Sequence, residues 1–88
     1  PLSHEPIFLR ALFDAQTARH LDETTLSVKQ TLTAQEDGRV LFEAEVTDTL
    51  ELRWWLQGFG DNVEVLEPIA MRDKFREVAE SLRRIYQQ

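Results

Sequence analysis

The chain has 88 residues, of which 42% are hydrophobic and 30% charged, so it is long enough for one domain, too short for two, and too apolar to be disordered. It contains no Cys, which excludes disulfides, thiolate zinc sites and Cys nucleophiles and favours a reducing compartment; we expect a cytoplasmic protein. Its formal net charge of −6 argues against direct binding of nucleic acid, whose partners usually carry net positive charge.

The charge is unevenly distributed along the chain. Residues 1–67 contain 5 Lys and Arg against 13 Asp and Glu, whereas residues 68–88 contain 5 against 3. The sequence therefore combines an acidic body with a basic final segment. We expect an acidic ligand to bind the basic segment, residues 68–88.

We interpret residues 1–88 as a single domain and residues 1–5 as the remnant of a linker. The first residue is Pro1 and not Met, which is typical of a piece of a longer protein. No apolar run approaches the roughly 18–20 residues of a membrane span, and no signal-peptide pattern opens the chain, so we expect no membrane contact.

The first predicted elements are a strand and a short helix. Ile7 to Phe13 is apolar on both faces except at Arg10, which is typical of a central strand covered on two sides. Asp14 is a favourable N-cap for a helix over about residues 15–23.

A β-hairpin follows. Residues 26–33 alternate between apolar and polar except at Gln30, and residues 40–47 do so except at Leu41. Between them lies Asp37-Gly38, a strong hairpin signal because Gly tolerates the positive φ that such turns need.

Two helices and a short strand complete the chain. Asp48 and Glu51 have the spacing of a capping box, with Asp48 as the cap of a helix over residues 50–59. A strand is predicted over 63–66, and Pro68 as a first-turn proline opens a helix that runs to the C-terminus. One face of that last helix is apolar, at Phe75, Val78, Ala79, Leu82, Ile85 and Tyr86.

The order β-α-β-β-α-β-α predicts an α+β fold, a ferredoxin-like βαββαβ antiparallel sheet with an added C-terminal helix. Right-handed crossovers place both inner helices on one face of that sheet. The other face carries Phe8, Leu12 and Leu41, so we expect the C-terminal helix or a partner to cover it.

The sequence lacks the usual motifs of catalysis and metal binding. Its two His residues, His4 and His20, do not have the spacing of a zinc site, there is no GxSxG nucleophile motif, and the three Gly form no phosphate loop. We therefore expect a protein that is not an enzyme and that has no catalytic residue, metal site or cofactor.

Trp54 is a candidate contact residue. Adjacent residues on a helix point about 100° apart, so Trp54 cannot share the core-facing stripe that Trp55 fits. Two interpretations remain: Trp54 packs at the rim of its own domain, or it anchors a protein–protein interface.

The arginines of the last helix are candidates for anion binding. Arg72 lies in the first turn, where exposed N–H groups and the helix dipole also favour negative charge. Arg76 follows one turn later, and Arg10 on the first strand is a further candidate. The alternative is a solvated face whose arginines pair with acidic neighbours on the same helix, as Glu80 and Arg84 do by spacing.

Three segments carry a resemblance to a known family: LRALFD at 9–14, the DG hairpin at 37–38, and TDTLELRWWLQGFGDNVEVLEPIAMRDKF at 47–75. The longest segment contains W-hydrophobic-x-x-F-G, E-V-L-x-P and hydrophobic-R in order, at Trp55, Leu56, Phe59, Gly60, Glu64, Val65, Leu66, Pro68, Met71 and Arg72. With these residues and a closing Tyr86, the chain resembles the WCX domain, the C-terminal extension of WYL-domain bacterial transcription regulators. It departs from the family at Leu12, where a second basic residue is common.

The resemblance implies a regulatory role without catalysis. Such regulators usually join a winged helix-turn-helix, a WYL domain and this extension, so operator DNA would be read by a domain upstream of Pro1. The extension helps to form a homodimer and often contacts the WYL domain of the same or the partner subunit. In some members single-stranded nucleic acid or a nucleotide-derived effector binds between them.

We therefore predict an effector-sensing and dimerisation module. The predicted effector contacts are Arg72, Arg10 and Arg76, and the predicted interface residues are Trp54, Phe8, Leu12 and Leu41. The alternative is a stand-alone ACT-like domain that binds a small molecule at a dimer interface. Such domains usually have a Gly-rich first loop, and Asp14-Ala15-Gln16 offers no such glycine.

Overall fold

The computed structural model describes residues 5–21, 23 and 29–87. Within them the chain is an α+β domain with a four-stranded antiparallel sheet and three α-helices. The elements are β1 (Pro6–Phe13), α1 (Ala15–Leu21), β2 (Thr31–Ala34), β3 (Val40–Thr47), α2 (Leu50–Gln57), β4 (Val63–Glu67) and α3 (Ile69–Tyr86). A short 3-10 turn at Gly60–Asn62 joins α2 to β4.

The strands lie in the order β2-β3-β1-β4, and every neighbouring pair is antiparallel. β1 is therefore a central strand, as predicted, but only the face with Leu9, Ala11 and Phe13 is covered, since Phe8 on the other face is exposed. It pairs with β3 in regular register, with Leu12 opposite Leu41 and Phe8 opposite Glu45. On its other side the register with β4 shifts between Arg10 and Ala11.

A single core lies on one face of the sheet. β1 contributes Leu9, Ala11 and Phe13, which are fully buried. Phe13 contacts the rings of Phe42, Phe59 and Trp55, with centroids 6.0, 5.3 and 6.3 Å away. The rest of the core comes from Ala18 and Leu21 of α1, Phe42, Ala44 and Val46 of β3, Leu52 and Leu56 of α2, Val65 of β4 and Met71 of α3. Helices α1 and α2 thus share one face of the sheet, as predicted.

The hairpin prediction is confirmed. β2 and β3 pair across a turn over residues 35–39, in which Gly38 has φ +91°. The Gln35 N–H donates to the carbonyl of Arg39 at 2.8 Å and closes the turn. The described part of β2 begins at Thr31, and the predicted strand residues Leu26 and Val28 lie outside the described residues.

The first helix begins as predicted and ends earlier. The carboxylate of Asp14 accepts a hydrogen bond from the Thr17 N–H at 2.9 Å, as an N-cap should. The described helix covers Ala15–Leu21, and Glu23 lies in a turn, so the helix does not reach residue 23.

The predicted capping box of the second helix is wrong. The N-cap of α2 is Thr49, whose Oγ1 accepts a hydrogen bond from the Leu52 N–H at 3.1 Å. Asp48, the predicted cap, is the residue before the N-cap and is only 8% exposed. Its two oxygens accept hydrogen bonds from Nε and Nη2 of Arg53 at 3.0 and 2.9 Å, so this bidentate pair replaces the predicted cap.

Helix α3 begins one residue later than predicted, because Pro68 has extended backbone (φ −71°, ψ 154°) and is the N-cap residue. Met71 is its one buried residue among those described, and Phe75 packs partly against the core. From Arg76 onward the described residues of the helix are all exposed. α3 thus lies against the edge strand β4 with its first two turns and leaves the second face of the sheet open.

Candidate functional site

The open sheet face is the face of the sheet opposite the core. Its central residues are Phe8, Arg10 and Leu12 of β1, Leu41, Glu43 and Glu45 of β3, and Glu64 of β4, placed together by the strand register. Phe8 is 53% exposed, while Leu12 and Leu41 are half-buried opposite each other. The face therefore combines apolar side chains with several carboxylates.

Arg10 lies between two carboxylates on this face. Its Nε donates to Glu43 at 3.0 Å and its Nη1 donates to Glu67 at 2.8 Å. The hydrogen bonds to Glu67 and Glu43, in that order, raise the pKa of Arg10. One guanidinium between two carboxylates gives this position a net negative charge.

Arg72 is fixed to strand β4 at the edge of the open sheet face. Its Nη1 donates to the carboxylate of Glu64 at 2.9 Å and to the main-chain carbonyl of Val65 at 2.9 Å. Two acceptors on one nitrogen hold the guanidinium in a single orientation, and the side chain is 34% exposed.

Glu64 is shared by two arginines. Besides the bond from Arg72, it accepts a hydrogen bond from Nη1 of Arg39 at 2.8 Å, and Arg39 also pairs with Asp37 at 2.9 Å. The hydrogen bonds from Arg39 and then Arg72 lower the pKa of Glu64. Glu64 thus remains ionised at neutral pH, and it links the hairpin, β4 and α3.

Arg72 and Arg76 line one groove between β4 and α3, which we call the arginine groove. Arg76 is largely exposed and lies 3.4 Å from Asp73. The lining residues are Gly60, Asp61, Val63, Glu64, Val65, Arg72, Phe75, Arg76 and Ala79. Of the three predicted effector residues, the structure brings Arg72 and Arg76 together, whereas Arg10 is absent from this lining.

The predicted interface residues fall on two separate surfaces. Trp54 is 60% exposed on the outer side of α2, next to Leu50, four residues earlier on the same helix. Phe8, Leu12 and Leu41 lie on the open sheet face. Trp55, by contrast, packs against the core, as the helical spacing predicts.

The roles of Arg39 and Glu64 were not predicted from the sequence. Strand alternation places Glu64 on the same face as Leu12, and this could have indicated an acidic partner for Arg72. Nothing in the spacing of the sequence indicated that Arg39, the last residue of the hairpin turn, reaches across to Glu64 of β4.

The described residues contain no group of three or more His, Asp and Glu side chains placed to hold a metal ion. None of their helices has the length and apolar character needed to cross a membrane.

Comparison with known proteins places the chain in a family. No curated protein matches the sequence. The family model of the WCX domain matches residues 5–83, a range that runs from the start of β1 into the last turn of α3 and includes the arginine groove. The chain therefore belongs to the WCX domain family.

Proposed function

We propose that this WCX domain is the effector-sensing and dimerisation module of a bacterial WYL-family transcription regulator and does not itself read operator DNA. Family membership supports a regulatory role in WYL-type regulators. The observation that carries the effector part of the proposal is the arginine groove, where Arg72 and Arg76 face the same space. Operator DNA would be bound by another domain of the regulator, and no catalytic step is assigned to this one.

The way in which Arg72 is held suits the binding of an acidic ligand. A guanidinium has five N–H donors. Within the part of the chain that the structure describes, hydrogen bonds engage Arg72 through Nη1 alone. Its remaining donors are therefore oriented in advance at the edge of the groove, and little side-chain entropy is lost when a phosphate or carboxylate binds.

Arg76 adds a second positive charge one helical turn away. Residues four apart on a helix are neighbours on its surface, so Arg72 and Arg76 can contact one phosphate group together. The pair Arg76–Asp73 is exposed and long at 3.4 Å. Such surface pairs contribute little, so a ligand displaces Asp73 at small cost.

Arg10 is less suited to this role and stays a prediction. Its Nε and Nη1 already donate to Glu43 and Glu67, and the two negative charges of these carboxylates exceed its single positive charge. An anion at Arg10 would need to displace one of these carboxylates or approach both.

The dimerisation part of the proposal is supported by large exposed apolar side chains. Trp54 and Phe8 are more than half exposed. Trp54 lies on the outer side of α2, and Phe8 lies on the open sheet face on the other side of the domain. Exposed aromatic residues of this kind are enriched at the centres of protein interfaces. The proposed partners are a second subunit in a homodimer and the WYL domain of the same or the partner subunit.

We also propose that the fold is ferredoxin-like. The order of elements from β1 to β4 is βαββαβ, and β3 lies between β1 and β2. The connections β1-α1-β2 and β3-α2-β4 each skip one strand position, as in a split β-α-β unit. This arrangement supports the assignment, with α3 as an addition.

A thermal-shift screen of the intact regulator tests the effector class. We expect short single-stranded oligonucleotides or nucleotides to raise the melting temperature, because binding to the folded state stabilises it, and amino acids to leave it unchanged. Arg72→Ala should reduce the shift, whereas Arg84→Ala, which removes the same charge from the far end of α3, should leave it unchanged. A shift with amino acids alone would contradict the proposal and favour a small-molecule sensor.

A further inference from the structure

Helix α3 carries an apolar stripe that its own domain leaves exposed. Met71 and Phe75 contact the core, but Val78, Leu82 and Ile85 continue the same stripe and are 40%, 47% and 61% exposed. The five residues are spaced four, three, four and three apart. This is the spacing of the a and d positions of a coiled coil, in which the stripe packs against another helix.

The stripe forms one wall of a groove. Between α2 and α3 the surface is concave, with Arg53 and Gln57 on the α2 side. The α3 side includes Phe75, Val78, Leu82 and Ile85. An exposed apolar stripe in a groove beside another helix has the shape that an additional helix fills.

We propose that this groove binds α3 of a second copy of the chain, with the two helices antiparallel. The proposal deepens the dimerisation part of the proposed function and rests on it. The stripe is symmetric about position 80, since Phe75 and Ile85 are equally distant from it, and so are Val78 and Leu82. An antiparallel pair therefore places Phe75 against Ile85 of the second copy and Val78 against its Leu82, and repeats both contacts by symmetry. A surface that is complementary to itself in this way is what a two-fold dimer requires.

The residues beside the stripe fit the same arrangement. Ala79 and Ser81 flank the centre of symmetry, and small side chains there allow the two helices to approach closely. The charged residues Glu80, Arg83 and Arg84 lie away from the stripe by helical spacing and do not line the groove, so pairing leaves them in water. Antiparallel helices also place opposite ends of their dipoles side by side.

Other occupants are less well supported by the described residues. In a parallel pair each residue of the stripe would pack against the same residue of the second copy. The two C-terminal ends would then lie side by side, and Arg83 and Arg84 would face the same positive charges of the other copy. Contact with the chain's own open sheet face is prevented because α3 is held at the edge of β4 by Met71 and by the bonds of Arg72. About three turns of paired helix bury less than the roughly 1,200 Å² of a standard interface, so the dimer of this domain alone should be weak.

Disulfide trapping tests both the pairing and its direction. The chain has no Cys, so Val78→Cys and Leu82→Cys each introduce a unique thiol. We expect a mixture of the two variants, one with a mass tag, to form the mixed disulfide readily on mild oxidation, because positions 78 and 82 lie opposite each other. Each variant alone should cross-link poorly, because identical positions are offset by about 6 Å along the helix axis. Efficient cross-linking of either variant with itself, or no mixed product, overturns the proposal.

Sedimentation of the chain at increasing concentration gives an independent measure. Leu82→Glu should weaken self-association at least about tenfold, since it places a charge in the apolar seam. The matched control is Ile69→Glu, because Ile69 is 63% exposed on the opposite side of the same helix and should leave self-association unchanged. Equal effects of the two variants, or a chain that stays monomeric at all concentrations, would contradict the proposal.

Failure of this proposal is distinguishable from failure of the proposed function. If Leu82→Glu does not weaken self-association while the intact regulator still dimerises and still responds to an oligonucleotide, the pairing of α3 alone is wrong. If the intact regulator neither dimerises nor responds, the proposed function itself is wrong.

Discussion

Glu64 binds two arginines that are far apart in the sequence, Arg39 at the end of the hairpin turn and Arg72 in the first turn of α3. This single carboxylate therefore orients the side chain that we propose as the main effector contact. Strand alternation predicts the face on which Glu64 lies. The hydrogen bond from Arg39 to Glu64 depends on the hairpin and β4 lying on either side of β1. Individual ion pairs of this kind are set by tertiary structure and not by local spacing.

Stability should depend on pH through Glu64. Its pKa is lowered in the folded state from an ordinary value of 4.5 by hydrogen bonds from Arg39 and Arg72. A carboxyl group with a lowered pKa stabilises the fold above its unfolded pKa, and this contribution is lost as the pH falls through the folded pKa. We expect the difference in unfolding free energy between the wild type and Glu64→Gln to be present near neutral pH and to vanish under acid conditions.

Urea denaturation across that pH range measures the difference. Glu45→Gln is the control, since Glu45 lies on the same face and makes no ion pair with the residues that the structure describes. A difference for Glu64→Gln that stays constant from neutral to acid pH would contradict the assignment.

Glu64→Gln also distinguishes a ligand-binding role of Arg72 from a purely structural one. The amide oxygen of Gln can still accept the hydrogen bond that orients Arg72, but the competing negative charge is removed. If Arg72 binds an acidic effector, this change should strengthen the binding of an oligonucleotide to the intact regulator. If Arg72 only fastens α3 to β4, the affinity should not rise. Fluorescence anisotropy with a labelled oligonucleotide measures the change.

At the scale of the elements, hydrophobic periodicity predicted the type and order of the four strands and three α-helices that the structure describes, because their apolar side chains recur at the spacing of the face that meets the core. The ends were less predictable. Asp48 and Glu51 have the spacing of a capping box, yet Thr49 caps α2, since Asp48 is drawn to Arg53 one turn into the helix. Asp48 and Thr49 were both possible N-caps, and the ion pair of Asp48 with Arg53 leaves Thr49 as the N-cap of α2.

The cap of α2 can be tested by substitution. Thr49→Ala removes the oxygen that accepts from the Leu52 N–H and should lower the free energy of unfolding by about 1 kcal/mol, whereas Thr49→Ser should retain most of it. Chemical denaturation measures both. An unchanged stability for Thr49→Ala would mean that Asp48 can take over the cap after all.

At the scale of the whole molecule, the uneven charge of the sequence has a structural counterpart. The acidic body contains the sheet and its carboxylates, and the basic segment is α3, which meets the body along β4. The sequence predicted the core face, the placement of α1 and α2, and the family. It did not predict that α3 leaves the second face of the sheet open, because a helical stripe does not reveal which surface it will pack against.

We propose above that the arginine groove senses an acidic effector through Arg72. The most direct measurement is the affinity of the intact regulator for a short single-stranded oligonucleotide at several salt concentrations, for the wild type and Arg72→Ala. We predict roughly tenfold weaker binding for the variant, as for the loss of a charged hydrogen bond. The slope of the logarithm of the binding constant against the logarithm of the salt concentration should be shallower by about 0.7, because one phosphate contact is lost. Equal affinity and equal salt dependence for the two proteins would contradict the claim.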